Sequence, residues 1–255
     1  MSKPNPKGTS GKKETDQASL EQSKHLLQTK FYIPSVRSNQ IARPRLINLL
    51  SDGLDKTLIW VSAPAGYGKS TLVSAWLKET SISSAWLSLD AGDNDPSRFL
   101  QYLLTAVQPV TPGIGGNLVD MIQSMQPAQF ENVIDLLTNE LASTSGQFVL
   151  VLDDFHLINS EAVINIVLYL IEHLPYQKHL VLLTRIDPPL PLSRLRVRNQ
   201  LVDIRADQLR FTPEQQPFPT TAMAPRFERF ADLVVRTSQG GHLRASVHSR
   251  QGVSC

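Results

Sequence analysis

The chain has 255 residues, of which 41% are apolar, so it can bury the core of one large or two small domains. Its formal net charge of +2 argues against a dedicated nucleic-acid-binding or membrane-surface protein. The one cysteine, Cys255, excludes an intrachain disulfide, and the lack of a long apolar run excludes a signal peptide and a membrane span, so we expect a cytoplasmic protein.

Buried strands and helices alternate along most of the chain. Residues 1–24 are polar and lysine-rich, and we expect a disordered tail there. Phe31–Pro34 is predicted to be extended. The predicted strands are 58–61, 85–89, 148–152, 179–184 and 201–204, and the predicted helices are 44–54, 69–80, 96–107, 127–143, 161–174 and 192–197; residues 108–118 are predicted to be a loop. This alternation is typical of an α/β fold with a parallel sheet flanked by helices.

A glycine-containing segment joins the first strand to the next helix. It reads Ala63-Pro64-Ala65-Gly66-Tyr67-Gly68-Lys69-Ser70-Thr71. The glycines let backbone N–H groups face phosphate oxygens at a helix N-terminus, which is how a P-loop binds ATP. Lys69 is placed to reach the β- and γ-phosphates, and Ser70 to give its hydroxyl to Mg²⁺. The general pattern has glycine at the position of Ala63, so on this segment alone a strand-to-helix turn with an exposed lysine stays open.

Two aspartates, Asp153 and Asp154, end the apolar strand 148–152, as in a Walker B pattern. In an open parallel sheet, ligands lie beyond the carboxyl ends of the strands. We therefore expect Asp153 to hold the magnesium ion, and Asp154 to orient or deprotonate an attacking water. The alternative is that both residues only begin a turn.

Arg185 follows the next buried strand, at the same predicted edge of the sheet. A cationic side chain in that position can contact the γ-phosphate and so distinguish ATP from ADP. The alternative is a solvated arginine at a strand end. Three strand ends with complementary groups favour the functional interpretation.

A series of short segments stands in a fixed order between residues 26 and 214. The segments are Ala42-Arg43-Pro44-Arg45-Leu46, Ala63 to Thr71, Trp86-Leu87-Ser88-Leu89-Asp90, Asp93-Asn94-Asp95-Pro96, Leu152-Asp153-Asp154-Phe155-His156-Leu157-Ile158, Thr184-Arg185, Leu195-Arg196-Val197-Arg198 and Leu209-Arg210-Phe211-Thr212-Pro213-Glu214. Together they resemble the N-terminal NTPase domain of MalT-like regulators, the large ATP-dependent activators of the LuxR family, which belong to the STAND class of signalling ATPases. The P-loop of that family also begins with a residue other than glycine.

The resemblance implies a P-loop NTPase fold of the AAA+/STAND kind and a set of site residues. It makes Asp154 and Arg185 catalytic, Arg185 being the first sensor residue, and Ser70 and Asp153 the magnesium ligands. The residues implied to bind ATP or ADP are Arg43, Pro44, Ala65, Gly66, Tyr67, Gly68, Lys69, Ser70 and Thr71. Of these, Arg43 and Pro44 are implied to cover the adenine. In the family, ATP converts a resting monomer to a multimer, an inducer is sensed by a helical-repeat domain, and a C-terminal helix-turn-helix domain binds DNA.

The family pattern is lost after residue 214. Thr212-Pro213-Glu214 predicts the start of a helix, but Pro217 and Pro219 would stop that helix at once. We therefore divide the chain into the tail 1–24, an ATPase domain 25–211 and an irregular tail 212–255, in which the later domains of the family are missing. The hypothesis is a reading frame interrupted near residue 215, which the other two frames of the encoding DNA would test.

The favoured function is an ATP-binding regulatory switch that hydrolyses ATP slowly at most, self-associates in the ATP state and does not itself bind DNA. Two alternatives stay open, namely a metabolic P-loop kinase or ATPase and a non-functional remnant. A cluster of arginines could also be a DNA-binding patch, but no helix-turn-helix pattern accompanies it and Leu and Val are interleaved with it, which favours a solvated face or an internal contact within the ATPase domain. The cluster comprises Arg194, Arg196, Arg198, Arg205 and Arg210.

Overall fold

The computed structural model describes residues 26–36, 41–111, 118, 122, 125–126, 129–187 and 190–211. The predicted tails 1–24 and 212–255, the helix start at 212–214 and most of the predicted loop 108–118 lie outside these residues. The described residues up to Arg210 fall in one compact unit. No helix among them is long and apolar enough to cross a membrane.

Five strands of the described residues form one parallel sheet in the order β2-β3-β4-β1-β5. The strands are β1 (Leu58–Ser62), β2 (Ser83–Ser88), β3 (Phe148–Asp153), β4 (Lys178–Thr184) and β5 (Leu201–Arg205). The sheet therefore places β4 between β1 and β3, with β1 hydrogen-bonded to β4 and β5 on its two sides. Parallel strands joined by helical crossovers have all their carboxyl ends at one edge, so the segments that follow β1, β3 and β4 meet there.

The helices begin and end close to the predicted positions. They are α1 (Pro44–Asp52), α2 (Lys69–Thr80), α3 (Pro96–Val107), α4 (Phe130–Ser143), α5 (Glu161–His173), α6 (Leu192–Val197) and α7 (Ala206–Leu209). Pro44 and Pro96 each occupy a first-turn position, where a missing N–H costs nothing. The Asp95 carboxylate accepts a hydrogen bond from the Arg98 N–H at 2.7 Å and so caps α3.

The core has two parts, one on each face of the sheet. Leu58 and Trp60 of β1 pack on the face covered by α3, α4 and α5. Ile59 and Val61 of the same strand pack on the opposite face with α1 and α2. A strand buried on both faces has no polar positions, which explains the continuous apolar runs in the sequence. The α/β fold with helices on both sides of a parallel sheet is confirmed.

The N-terminal segment departs from its predicted extended form. Gln28–Phe31 is a turn of 3-10 helix, so Phe31 is helical and the extended backbone begins at Tyr32. The reason is an ion pair: Lys30, only 4% exposed, donates to Asp90 at 3.0 Å and to Asp93. Its ammonium also lies 4.2 Å from the ring centroid of Tyr102. The sequence pattern predicts local backbone shape, but here a contact some 60 residues along the chain decides it.

His179 lies at the end of the sheet opposite the predicted site, in β4, and is 4% exposed. Its Nδ1 is 2.7 Å from the carbonyl oxygen of Lys56, and its Nε2 is buried with no hydrogen-bond partner among the described residues. Burial lowers the pKa of His179 below its ordinary value of 6.5, with a smaller lowering from Lys178, while the Lys56 contact and Asp55 oppose that shift. The neutral ring is therefore the form that the fold accommodates.

Because the unfolded chain binds this proton first, the free energy of unfolding should fall as the pH drops through 6.5. The substitution His179→Asn keeps a donor near the Nδ1 position but cannot titrate. It should reduce the pH slope between pH 5 and 6.5 by at most about 1.4 kcal/mol per pH unit. Urea unfolding at a series of pH values measures this. An unchanged slope in the variant would contradict the assignment.

Candidate nucleotide-binding site

The segment between β1 and α2 curls at two glycines. Gly66 has φ +85° and Gly68 has φ +73°, and a Cβ at either position would meet nothing within 4 Å. Glycine is therefore needed for the backbone conformation and not for space. Ala65, Gly66 and Gly68 are exposed, and Tyr67 packs against the core on the α1–α2 face. The result is an open loop of main-chain groups directly before the N-terminus of α2, the arrangement that binds phosphate.

Lys69 is the first residue of α2, and its side chain turns back over the loop. Its Nζ donates to the carbonyl oxygens of Ala63 at 2.7 Å and Pro64 at 3.1 Å. Burial lowers the pKa of Lys69, and Arg185 lowers it further, while Asp153 and Asp154 oppose the shift. Two neutral carbonyls of the loop therefore hold the Lys69 ammonium. An anionic ligand bound at the loop would attract this ammonium more strongly than they do.

Asp153 closes β3 and is 6% exposed, with its Oδ1 accepting the Asp154 N–H at 2.8 Å. Burial raises the pKa of Asp153; Asp154 raises it further, while a hydrogen bond from Ser70 opposes the rise. Ser70 and Asp153 therefore meet across the crevice, as the magnesium prediction requires. A divalent cation would favour the ionised carboxylate, so this pair fits Mg²⁺. Nowhere in the described ranges do three or more histidine, cysteine or acidic side chains gather for a metal, so phosphate oxygens or water would complete the shell.

Asp154 lies next to this pair with a different set of neighbours. Its φ of 55° is left-handed, and it precedes the 3-10 turn Phe155–Leu157. Its Oδ1 is 3.6 Å from the Arg185 guanidinium and 3.8 Å from Nδ1 of His156. Burial lowers the pKa of His156, Arg185 lowers it further and Asp154 opposes the shift, so the neutral form of the ring is favoured beside the carboxylate.

His156 was missed by the sequence interpretation, although it lies within the segment 152–158 that carried the resemblance. Its side chain is 12% exposed and, as described above, faces Asp154. Residues two apart share a face of a β-strand but not of an α-helix, and these two residues follow the end of β3. Their side chains approach because Asp154 is left-handed and a tight turn follows. That turn could not be predicted from the residue types alone.

Arg185 reaches the same crevice from β4, because that strand lies between β1 and β3. Its side chain is about half exposed, and its loose contact with Asp154 leaves it able to take another partner. The structure thus brings together the phosphate loop, the two aspartates and the arginine that were predicted from three separate strand ends.

A cleft of about 370 Å³ runs along α2 from the residue after the phosphate loop. Its lining residues are Val36, Ile41, Ala42, Arg43, Pro44, Ile47, Asn48, Leu72, Ala75, Lys78 and Glu79. Arg43 and Pro44, the predicted adenine cover, thus line a cleft beside the loop. Arg43 is 8% exposed and donates to the carbonyl oxygen of Leu209 at 2.8 Å. Burial lowers the pKa of Arg43, and Arg45 lowers it further.

The arginine cluster makes ion pairs within the domain. Arg194 contacts Glu172 at 3.5 Å, Arg196 contacts Asp203 at 2.6 Å, and Arg210 contacts Asp207 at 3.8 Å. Arg205 contacts both Asp187 and Asp203. Four of the five arginines therefore contact carboxylates of the same domain, which agrees with the interpretation as internal contacts.

A parallel sheet in this order, with a glycine loop after β1, acidic residues after β3 and an arginine after the intervening strand, defines a P-loop NTPase of the AAA+/STAND kind. A solved structure agrees with the fold. The STAND protein with a tetratricopeptide repeat sensor from Pyrococcus horikoshii matches 81% of this chain and 29% of its own, with a TM-score of 0.53 at 17% identity.

The sequence comparison is more specific. The chain is 36% identical over 190 residues to the HTH-type transcriptional regulator MalT of Klebsiella pneumoniae, and 37% identical over 191 residues to that of Cronobacter sakazakii. Each match takes in 74% of this chain and 21% of the relative, so the chain spans about a fifth of the length of those regulators. No protein-family model matches it. The chain is a relative of the N-terminal region of MalT-like transcriptional regulators.

Proposed function

We propose that this chain binds ATP and ADP with Mg²⁺ and serves as the regulatory nucleotide switch of a MalT-like regulator. The observation that carries the proposal is the convergence of Lys69, Asp153 and Arg185 at one sheet edge. The chain's similarity to MalT supports the regulatory part. DNA binding, self-association in the ATP state and a cytoplasmic location are proposed for the whole regulator on the same similarity. No DNA contact is assigned to residues 26–211.

Binding begins with an exchange of partners at Lys69. In the structure its ammonium is satisfied by the Ala63 and Pro64 carbonyls, and a triphosphate offers it charged oxygens instead. The ammonium gains the attraction of an opposite charge, which a neutral carbonyl cannot supply. The backbone N–H groups of the loop and of the first turn of α2 add to the phosphate site. Ser70 and Asp153 would hold the magnesium ion, which would neutralise phosphate charge.

The adenine is proposed to occupy the cleft beside α2. Its volume lies within the range typical of small-molecule sites, and its walls are mainly apolar at Pro44, Leu72 and Ala75. A flat aromatic base fits such walls. Of the cleft's charged residues, Lys78 and Glu79 lie farther along α2, and Arg43 donates to the Leu209 carbonyl oxygen. Leu72, which lines the cleft, follows Thr71 of the loop, and this supports one ligand with its base in the cleft and its phosphates on the loop.

Hydrolysis is assigned to Asp154 and Arg185. A water attacks the γ-phosphorus, its proton passes to the Asp154 carboxylate, and the bond to the bridging oxygen breaks to give ADP and inorganic phosphate. The Arg185 guanidinium stabilises charge on the transferred group. We expect slow turnover, because a switch must keep each nucleotide long enough for its state to be read.

Nucleotide-dependent thermal stability tests the proposal. At a nucleotide concentration of about 100 Kd, a ligand that binds only the native state stabilises it by about 2.7 kcal/mol, or about 5–10 °C for a domain of this size. ATP and ADP with Mg²⁺ should both produce this shift. The variant Lys69→Ala is the control, because losing its charged hydrogen bonds should weaken ATP binding about 10- to 150-fold.

Three results would separate the alternatives. The same shift in Lys69→Ala as in the wild type would contradict the assigned phosphate site. No shift with either nucleotide would favour a non-functional remnant. Transfer of phosphate from ATP to a small metabolite, measured with labelled ATP, would favour a kinase over a switch.

A further inference from the structure

The short helix α7 is the last element of the compact unit that contains the site, which ends at Arg210. It follows β5 without a loop and has only four residues, Ala206–Leu209. A helix so short has little stability of its own, so its position depends on side chains that hold its two ends.

The C-terminal end of α7 is held from the cleft side of the site. The carbonyl oxygen of Leu209 accepts from Arg43 at 2.8 Å, and that of Gln208 accepts from Arg45 at 2.5 Å. The last carbonyls of a helix have no partner within it, and these two arginines supply one. Arg43 is also a wall of the cleft assigned to adenine.

The N-terminal end of α7 is held from the phosphate side. The Arg205 N–H donates to Oε1 of Gln208 at 3.0 Å, which closes the first turn. The Arg205 guanidinium contacts Asp187, whose Oδ1 also accepts from the Ser62 hydroxyl at 3.0 Å. Ser62 is the last residue of β1, directly before the phosphate loop, and Asp187 lies two residues after Arg185.

We propose that α7 reports the nucleotide state to the chain that follows it. Arg43, a wall of the adenine cleft, carries the signal that the cleft is filled, and Arg45 of α1 holds the same end of α7. The contacts Ser62–Asp187–Arg205 carry the signal that a γ-phosphate is present. This inference rests on the proposed function, because it needs ATP and ADP in the assigned site.

The contacts at the two ends of α7 differ in whether they can distinguish ATP from ADP. The adenine is common to ATP and ADP, so Arg43 and Arg45 respond alike to both. Only a γ-phosphate can draw Arg185 away from its 3.6 Å contact with Asp154, and Asp187 lies on the same turn. A ligand shifts a conformational equilibrium only by its difference in affinity for the two states. The ATP-specific part of the response therefore passes through Asp187 and Arg205.

Hydrogen–deuterium exchange of the full chain, followed in a peptide that spans α7, tests the inference. The probes are ADP and the non-hydrolysable analogue AMPPNP, each with Mg²⁺ and at saturation as judged by calorimetry. Exchange reports the local opening of backbone hydrogen bonds, and α7 should exchange at rates that differ by roughly threefold or more between the two nucleotides. In Arg205→Met that difference should disappear, whereas in Arg45→Met the slowing by both nucleotides should weaken.

The matched control is Arg194→Met, because Arg194 is an exposed arginine that pairs with Glu172 on α5, away from α7. Its α7 peptide should behave as in the wild type. Equal exchange of wild-type α7 with ADP and AMPPNP, both bound, would overturn the inference and leave the proposed function intact. Failure of both nucleotides to bind would overturn the proposed function and the inference with it. The comparison of wild-type α7 exchange with ADP and with AMPPNP decides whether the inference holds, so the outcome does not depend on how well a variant folds.

Discussion

Asp154→Asn is expected to slow ATP hydrolysis about 100- to 10,000-fold while leaving ATP affinity largely intact, because a general base contributes that much to the rate. Asparagine is the suitable replacement, since Asp154 has φ +55° and asparagine tolerates the left-handed region far better than alanine does. The Asp154 carboxylate contacts Arg185 and His156, whereas the magnesium ion is assigned to Ser70 and Asp153, so nucleotide binding should survive. Single-turnover release of labelled phosphate, with calorimetric titration of ATP, measures both quantities.

The neighbouring acid is the control for this experiment. Asp153→Asn changes the same functional group one residue earlier, where burial and Ser70 surround it. It should weaken the magnesium-dependent part of ATP binding. The assigned roles would be wrong if Asp154→Asn and Lys69→Ala lost nucleotide affinity to the same extent.

Lys30→Met is expected to lower the free energy of unfolding by about 3 kcal/mol, because removing one member of a buried ion pair leaves an uncompensated charge. That charge is Asp93, whose side chain is fully buried. The loss stays at the lower end of the usual range for two reasons. Asp93 keeps the Asp90 N–H at 2.7 Å, and Arg98 remains 3.3 Å away. Urea unfolding of the two proteins measures the difference.

Arg98→Met tests whether burial is the cause. Arg98 pairs with the same carboxylate, but its side chain is 44% exposed, and exposed pairs contribute about 0.2–1 kcal/mol. In the double variant Lys30→Met/Asp93→Asn part of the lost stability should return, since no buried charge is left alone. Equal losses from Lys30→Met and Arg98→Met would show that the buried pair has no special role.

Much of the fold could be predicted because its signals are local. The strands are buried on both faces and therefore appear as apolar runs, and prolines and glycines mark the helix ends. The predicted helix 69–80 begins and ends where α2 does. Several boundaries moved by one to three residues. For example, β2 starts two residues early at Ser83, α1 ends at Asp52 with a 3-10 turn after it, and α4 begins at Phe130 instead of residue 127.

The predicted site residues meet because strand order follows from the fold class, and parallel strands end at one edge. What the sequence could not predict depends on long-range contacts or on unusual backbone angles. The 3-10 turn at Gln28–Phe31 is formed around the Lys30 ion pair, and the approach of His156 depends on the left-handed Asp154. Helix α7 has too few residues for a periodic pattern, and the arginines that hold it lie at positions 43 and 45.

The position of β1 in the sheet has a consequence for how the protein is made. Its hydrogen-bonding neighbours are residues 180–184 and 201–205, and the Arg43 contact with Leu209 spans 166 residues. As the chain leaves the ribosome, β1 is synthesised before β4 and β5. Its backbone N–H and C=O groups therefore have no strand partners until nearly the whole described domain has been synthesised. Exposed apolar edges of this kind aggregate readily, so the nascent chain has a long interval in which a chaperone would protect it.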